Sequence, residues 1–385
     1  LVLLRRARRL LRAPLGELAA PVPITGRVIA TTFRDRLPYF DEIWNVQDLF
    51  QQAQAHIRIF SGRLKVRVPR RPELMHWTYP LPLRIPGARN IYTMHDLVPL
   101  RLPYTTLDNK RRYFRLNRML GRRADHIVTV SESSKRDIVN LLGVPEERVT
   151  NTWQAVDIPK KFTDMPMQAV RDEVQGSFGL TAGQYWLFFG AIEPKKNVGR
   201  MIQAFLASGV EGPLVIVGKK AWKSEQELRL LFDDQIRYLV QEGSTLRTRH
   251  KVVLLDYAPF RLLVSLIRGA RAVLFPSLYE GFGLPALEAM LLGTPVITSN
   301  TASMPEVVGD AALMVDPYDI SQMVQAIQAV ERDAELRARL AWAGPRQAAF
   351  FSPERYAERL AALYTRLGVR LPEAAPEMPE RLAAE

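Results

Sequence analysis

Along most of the chain, short apolar runs bounded by turn residues alternate with longer stretches whose apolar positions recur every three or four residues. The short runs fit buried strands and the longer stretches amphipathic helices, so their alternation predicts an α/β protein built on parallel sheets. In the second half, strands are expected at 185–189, 214–217, 252–255, 272–275, 296–298 and 312–315, with helices between most of them, as at 198–206 and 284–292. That series makes one complete doubly wound domain. In the first half, 91–94 (IYTM) and 127–130 (IVTV) read as buried strands, ending at His95 and Asp96 and at Ser131, Glu132 and Ser133. Ligands of open α/β sheets gather at the carboxyl ends of strands, which makes both ends candidate cleft positions.

A chain of 385 residues favours two domains over one. The polar, proline-containing passage 160–174 is the expected divide, separating a domain at 1–165 from one at 171–350. The segment 352–367 (SPERYAERLAALYTRL) opens on an N-capping serine followed by proline and keeps helical spacing, which predicts a terminal helix. Beyond it, 371–385 is rich in Pro, Glu and Ala and reads as a flexible tail.

Charge changes this picture in the first half only. Residues 1–150 hold 27 Lys and Arg against 13 Asp and Glu, whereas the remainder is nearly balanced within a total of +13. The excess concentrates in KRRYFRLNRMLGRR, where Arg111, Arg115, Arg118 and Arg122 share one helical face. Such a stripe suits an anionic surface, whether membrane headgroups or a phosphate-bearing acceptor, and equally fits a solvated face. Nucleic acid is disfavoured because no helix-turn-helix, zinc-finger or RNA-binding aromatic signature is present. The basic, apolar N-terminus (LVLLRRARRLLRAPLG) reads as an interfacial helix or as an ordinary surface helix; arginines interrupt it too soon for a signal-peptide core. No apolar run is long enough to span a membrane. The absence of cysteine excludes disulfides, thiolate metal sites and a cysteine nucleophile, and fits a cytoplasmic location.

The densest candidate chemistry lies at 279–290, YEGFGLPALEAM. The loop runs from a strand end to a helix start, and Gly281 and Gly283 let backbone amides approach a ligand. Free N–H groups at the helix start favour an anion such as phosphate, and Glu280 and Glu288, the latter expected in the first helical turn, can accept hydrogen bonds from hydroxyls. Phosphate with hydroxyls points to a nucleotide sugar. Spacing alone also allows a glycosidase acid and nucleophile, or a dipole-complementing Glu288 beside a solvated Glu280. GAIEPKKN follows strand 185–189 and offers Lys195 and Lys196 to a diphosphate, with Lys196 favoured because the next helix starts at once. In TMHD, His95 stands at a strand end with Asp96 beside it to orient the ring for a sugar hydroxyl, or it is a structural loop histidine. No Asp-x-Asp triplet, His/Asp/Glu metal cluster or GxxxxGK[ST] loop appears. No cofactor or metal is therefore expected, and lysines and helix-end amides must stabilise a leaving group.

Together HWTYPLPL, YTMHDLVPL, VSESSKRDI, GAIEPKKN, FPSLYEGFGLPALEAMLLGTPVITSN and MPEVVGDAALMVDP resemble the retaining glycosyltransferases of family four, especially their mannosyltransferase branch. The resemblance runs over about 74–367 and implies the GT-B fold, two Rossmann-like doubly wound domains facing across a cleft, with helix 351–368 packing back on the first. It implies that Glu280 contacts the transferred sugar, Glu288 the ribose, and that the Phe282 and Gly283 amides, with Leu284 next to them, lie near the diphosphate. Lys195 and Lys196 would neutralise the β-phosphate and His95 would contact the donor sugar. The usual opening strand and glycine-rich loop are not recognisable, so the first domain is incomplete or divergent. DYAPFRLL also departs from the family's pattern after strand 252–255, leaving Tyr257 as the candidate for the base. The implied activity is metal-independent transfer of a hexose, mannose from GDP-mannose foremost, to a glycan or lipid-linked acceptor at the inner membrane face. A sugar-nucleotide epimerase and a non-catalytic nucleotide-sugar binder are the competing readings. A dinucleotide dehydrogenase is disfavoured by the missing GxGxxG.

Overall fold

The computed structural model describes residues 16–22, 42–232, 237–242 and 245–371. The basic segment 1–15 and the tail 372–385 lie outside them.

In the first domain, a parallel sheet runs in the order β1 (Leu74–Trp77), β2 (Arg89–Thr93), β3 (His126–Thr129) and β4 (Val149–Asn151). Only β2 and β3 were expected, because only they are buried along nearly their whole length. The residues LMHW of β1 are mostly half-buried and VTN of β4 has three residues, too short to carry a pattern. A smaller parallel sheet, Leu64–Arg67 between Glu17–Leu18 and Leu83–Arg84, shares the same core. The arginine-rich segment forms α1 (Lys110–Arg123), started by Asn109, whose side chain accepts the Arg112 N–H at 3.0 Å. Arg111, Arg115, Arg118 and Arg122 are all exposed on it. After β3 the chain enters α2 (Glu132–Leu142), with Ser131 as its N-cap.

The second domain is a six-stranded parallel sheet. In chain order it comprises β5 (Trp186–Phe189), β6 (Leu214–Val217), β7 (Val252–Leu255), β8 (Ala272–Phe275), β9 (Val296–Ser299) and β10 (Leu313–Val315). In space the order is β7-β6-β5-β8-β9-β10, so the progression reverses between β5 and β8. Its central strands are buried on both faces, which is why they read as unbroken apolar runs. The helices that carry the site are α3 (Val198–Ser208) after β5, α4 (Leu284–Leu291) after β8 and α5 (Met304–Val308) after β9. The passage 160–174 holds helix Lys160–Thr163 and the start of helix Met167–Phe178; Val170 and Val174 on the latter are fully buried in the second core. An antiparallel pair, Arg237–Glu242 with Thr245–His250, precedes β7 and was not foreseen.

The last helix, α6 (Pro353–Arg366), begins on Ser352, whose hydroxyl accepts the Arg355 N–H. It lies against the first sheet: Leu363 packs with Ile91 and Val128, and Arg366 donates to Thr150 at 2.5 Å. Tyr364 Oη is 2.7 Å from His76 Nδ1, and Thr93 Oγ1 is 2.7 Å from His76 Nε2. Burial pushes that imidazole down to about 4, so it joins the two hydroxyls as a neutral ring.

Candidate functional site

Where strand order reverses in an open α/β sheet, the loops leaving the two central strands diverge and leave a crevice at their carboxyl ends. Here those loops are 190–197 after β5 and 276–283 after β8. They are bonded to each other: the Leu278 N–H donates to the Lys195 carbonyl at 2.8 Å. Asn197, in the left-handed region at φ 60°, turns the first loop into α3, and its amide donates to the carbonyls of Pro276 and Pro317 at 3.0 and 2.6 Å.

This fixes Lys196 against Glu280, with Nζ 2.7 Å from Oε1. Both residues are less than a tenth exposed, and the ammonium lies 4.8 Å from the centre of the Phe275 ring. Burial alone would push the Glu280 carboxyl up, but the charges of Lys196 and then Lys195 outweigh it and hold its pKa below the ordinary value. Glu280 is therefore a fixed carboxylate. Lys195 points differently, with Nζ 3.5 Å from Glu193 Oε1. Burial opposes its charge, yet Glu280, Glu193 and Asp96 together raise its pKa.

The first domain closes the other side. A Cβ on Gly281 would stand 2.9 Å from Asp96 Cβ and 3.0 Å from the His95 carbonyl oxygen, so this loop passes the end of β2 only as glycine. His95 is kept neutral by burial, which outweighs the neighbouring Asp96 charge. The expected orientation of its ring by Asp96 is not seen: Asp96 Oδ1 instead accepts the Val98 N–H at 3.1 Å, forming a turn. Between the domains lies a cavity of about 570 Å³, lined by Tyr79, His95 and Asp96 on one side and Glu193, Lys195 and Trp222 on the other.

Gly283 ends the loop with φ 109°, and a Cβ there would meet Met304 Sδ at 2.6 Å. It caps α4, placing Leu284 at the first helical position and Pro285 at the second. Glu288 consequently falls in the second turn and not the first as expected. Its carboxyl has no side-chain partner among the described residues, and burial raises its pKa to about 7. Phe282 is 3% exposed, and its ring packs edge-on to Phe351. Tyr257 is 71% exposed and makes no hydrogen bond to this group. The structure thus gathers His95, Lys195, Lys196, Glu280 and Gly281, carries Glu288 on the adjoining helix, and leaves Tyr257 apart. No group of three or more metal-ligating side chains is found among the described residues.

Several residues around the loop were missed from sequence. Arg101 Nε donates to Asp137 Oδ1 at 2.7 Å, and the Tyr279 hydroxyl donates to Asp137 Oδ2. Glu306 of α5 accepts from the backbone N–H groups of Glu132 and Ser133 at 2.8 and 2.9 Å. Nothing local in the sequence marks a partner for Glu306 174 positions away.

Two family descriptions match: Glycosyltransferase Family 4 over residues 18–158 and Glycosyl transferases group 1 over 171–347. O-antigen chain mannosyltransferase B of Escherichia coli is 33% identical over 266 residues, covering 66% of this chain and 64% of that protein. Serotype-specific mannosyltransferase WbdA of Escherichia coli is 28% identical over 285 residues, covering 72% of this chain and 34% of its own length. The matched region is thus under two thirds of either relative. Among solved structures, sucrose-phosphate synthase from Thermosynechococcus elongatus superposes with a TM-score of 0.60 at 18% identity, covering 86% of this chain and 81% of that one. That likeness bears on the fold, with its two facing Rossmann-like domains. With both family descriptions falling in order on the two domains, and the crevice between them built from the strings that first pointed there, the chain belongs to the family-four glycosyltransferases of GT-B fold.

Proposed function

We propose that this protein transfers a hexose, mannose from GDP-mannose foremost, to a glycan or lipid-linked acceptor in cell-surface polysaccharide synthesis, with retention of configuration and without a metal. The observation that carries the reading is the buried Lys196–Glu280 pair beside Lys195, at the strand-order reversal and facing His95 across the cleft. A glycosidase needs two carboxyls flanking a sugar; here one is locked to an ammonium and the other sits along α4, which favours transfer from a nucleotide sugar. The names of the mannosyltransferase relatives support the choice of sugar.

In this mechanism Lys195 and the amides at the start of α4 take up charge developing on the leaving diphosphate. Lys196 sets the Glu280 carboxylate, which accepts hydrogen bonds from sugar hydroxyls; neutral His95 contacts the sugar from the first domain. Glu288 accepts from the ribose. The acceptor hydroxyl approaches from the first-domain side, and its proton passes to the departing phosphate, so no protein nucleophile is required.

For the acceptor, the first domain has a groove of about 800 Å³ between helix Leu49–Phe60 and α1. Ile57, Leu116 and Met119 line it with Arg58, Arg112 and Arg115, and it shares Tyr79 and Tyr113 with the cleft. An apolar floor with arginines fits a phosphate-bearing lipid-linked acceptor, reached from the cytoplasmic face by peripheral contact with anionic lipid. No described helix is long and apolar enough to cross a membrane.

A thermal-shift series with GDP-, UDP-, ADP- and dTDP-sugars tests the reading, because a ligand that binds only the folded state raises its melting temperature. Stabilisation by GDP-mannose above the others is expected. No shift with any nucleotide sugar would overturn it.

A further inference from the structure

We infer that α2 of the first domain sets the working position of the Glu280 loop, with Asp137 and Glu306 as positioning residues. This rests on the role proposed above for Glu280.

Four residues within the first two turns of α2 reach across the domain boundary. The Glu132 and Ser133 N–H groups bind the two oxygens of Glu306, Ser134 Oγ donates to the Gly281 carbonyl at 3.4 Å, and Asp137 accepts from the Tyr279 hydroxyl. The contacts fall on both sides of Glu280: Tyr279 and Gly281 are its chain neighbours. Glu306 acts on the same loop through Ser303, three residues earlier, whose hydroxyl lies 2.9 Å from the carbonyl oxygens of both Glu280 and Phe282. A carboxylate on the first N–H groups of a helix is a favourable seat, since those groups lack intrahelical partners and carry the positive end of the dipole. Trp153 Nε1, 3.3 Å from Glu306 Oε2, adds a third donor.

Asp137 is the more telling residue. It is 3% exposed, and Arg101 of its own domain takes only Oδ1, through Nε and the adjoining Nη2. Oδ2 is satisfied by the second domain's Tyr279. Separating the domains would take that donor away from Oδ2, so the bond forms only when the loop is seated. Burial and that bond to Asp137 raise the Tyr279 pKa, keeping the phenol protonated as the donor. Glu280 therefore takes its place when the first domain is docked, which couples cleft closure to the geometry of the sugar contact.

Contacts that merely glued the domains together would lower stability or donor affinity; positioning contacts lower turnover with the donor still bound. The test compares Tyr279→Phe, Asp137→Asn, their double variant, Glu306→Gln and Glu306→Ala in the full chain. It measures the GDP-mannose dissociation constant by calorimetry, kcat as GDP released from GDP-mannose with a phosphate-bearing lipid-linked glycan as acceptor, and amide exchange over 277–283. Tyr279→Phe removes a single oxygen and serves where Asp137→Asn folds poorly. Each single variant at the Asp137–Tyr279 pair should lower kcat about tenfold or more with donor affinity within about threefold, and the double variant should be no worse than the worse single one. Exchange over 277–283 should quicken while β5 and β8 stay protected. Glu306→Gln, which keeps an oxygen acceptor, should lose less than Glu306→Ala. Unchanged kcat, multiplying losses in the double variant, or unchanged loop exchange would overturn the inference. Should the wild type bind no nucleotide sugar, the functional reading falls, and the exchange comparison still decides whether α2 holds the loop.

Discussion

The two ends of the YEGFGLPALE stretch hold the same side chain in opposite states. Glu280 sits at the loop end, buried against Lys196 at 2.7 Å, with its pKa lowered because two ammonium groups outweigh burial. Glu288 sits on α4 with no charged partner among the described residues, and burial alone lifts its pKa to about 7. One carboxylate is fixed before any ligand arrives, while the other waits for partners that a ligand can supply. The contrast teaches that motif glutamates are not interchangeable grips. On the proposed reading, burial with a cation would make Glu280 a rigid reference for the sugar, and burial without one would make Glu288 the group that gains most from ribose hydroxyls.

The sharpest way to break the contrast is Glu280→Gln, which leaves Lys196 buried without its counter-charge. Removing one member of such a pair costs about 3–5 kcal/mol of stability, and turnover should fall by roughly 10²–10³-fold, the scale of losing a preorganised polar contact. Calorimetry and steady-state rates check both; near-normal turnover would remove Glu280 from the site. Gly281→Ala comes next. Its Cβ would force the loop off Asp96 and His95, so kcat should drop by about 10–100-fold while melting temperature changes little.

The smallest effect is the pH dependence of donor affinity. A ribose that prefers the ionised Glu288 releases a proton on binding, so affinity should strengthen as pH rises through about 7 and level off above it. Glu288→Gln should flatten that profile at a cost of about three- to tenfold in affinity above the transition. The stability linkage has the opposite sign. Because the folded pKa is raised, the contribution of Glu288 to stability is complete below its unfolded value and is lost as pH rises through about 7.

The second domain was more legible than the first for a physical reason. Strands such as 214–217 and 272–275 are covered on both faces, so their burial is written as continuous apolar runs, and their ends located the Lys195, Lys196 and Glu280 loops correctly. The first domain buries less per strand: β1 and β4 lack such runs, and the two-residue strand Glu17–Leu18 carries no signal. Within the site, the chemistry of Glu280 was legible but its partner was not, because the Lys196–Glu280 bond spans 84 positions. Glu288 falls just past the expected first turn, as the fifth helical residue, because Gly283 caps the helix and Leu284 opens it one residue ahead of the proline. Asp96 looked like a ring-orienting neighbour of His95, but its Oδ1 accepts the Val98 N–H.

On the proposed reading Glu280 holds the sugar and Glu288 the ribose of one donor. Parallel titration of GDP and GDP-mannose into the wild type, Glu280→Gln and Glu288→Gln separates the two roles. Glu280→Gln should weaken GDP-mannose but not GDP, whose diphosphate would still meet Lys195 and the amides at the start of α4, whereas Glu288→Gln should weaken the two ligands equally. Equal weakening of both ligands by Glu280→Gln, or unchanged GDP affinity in Glu288→Gln, would contradict it.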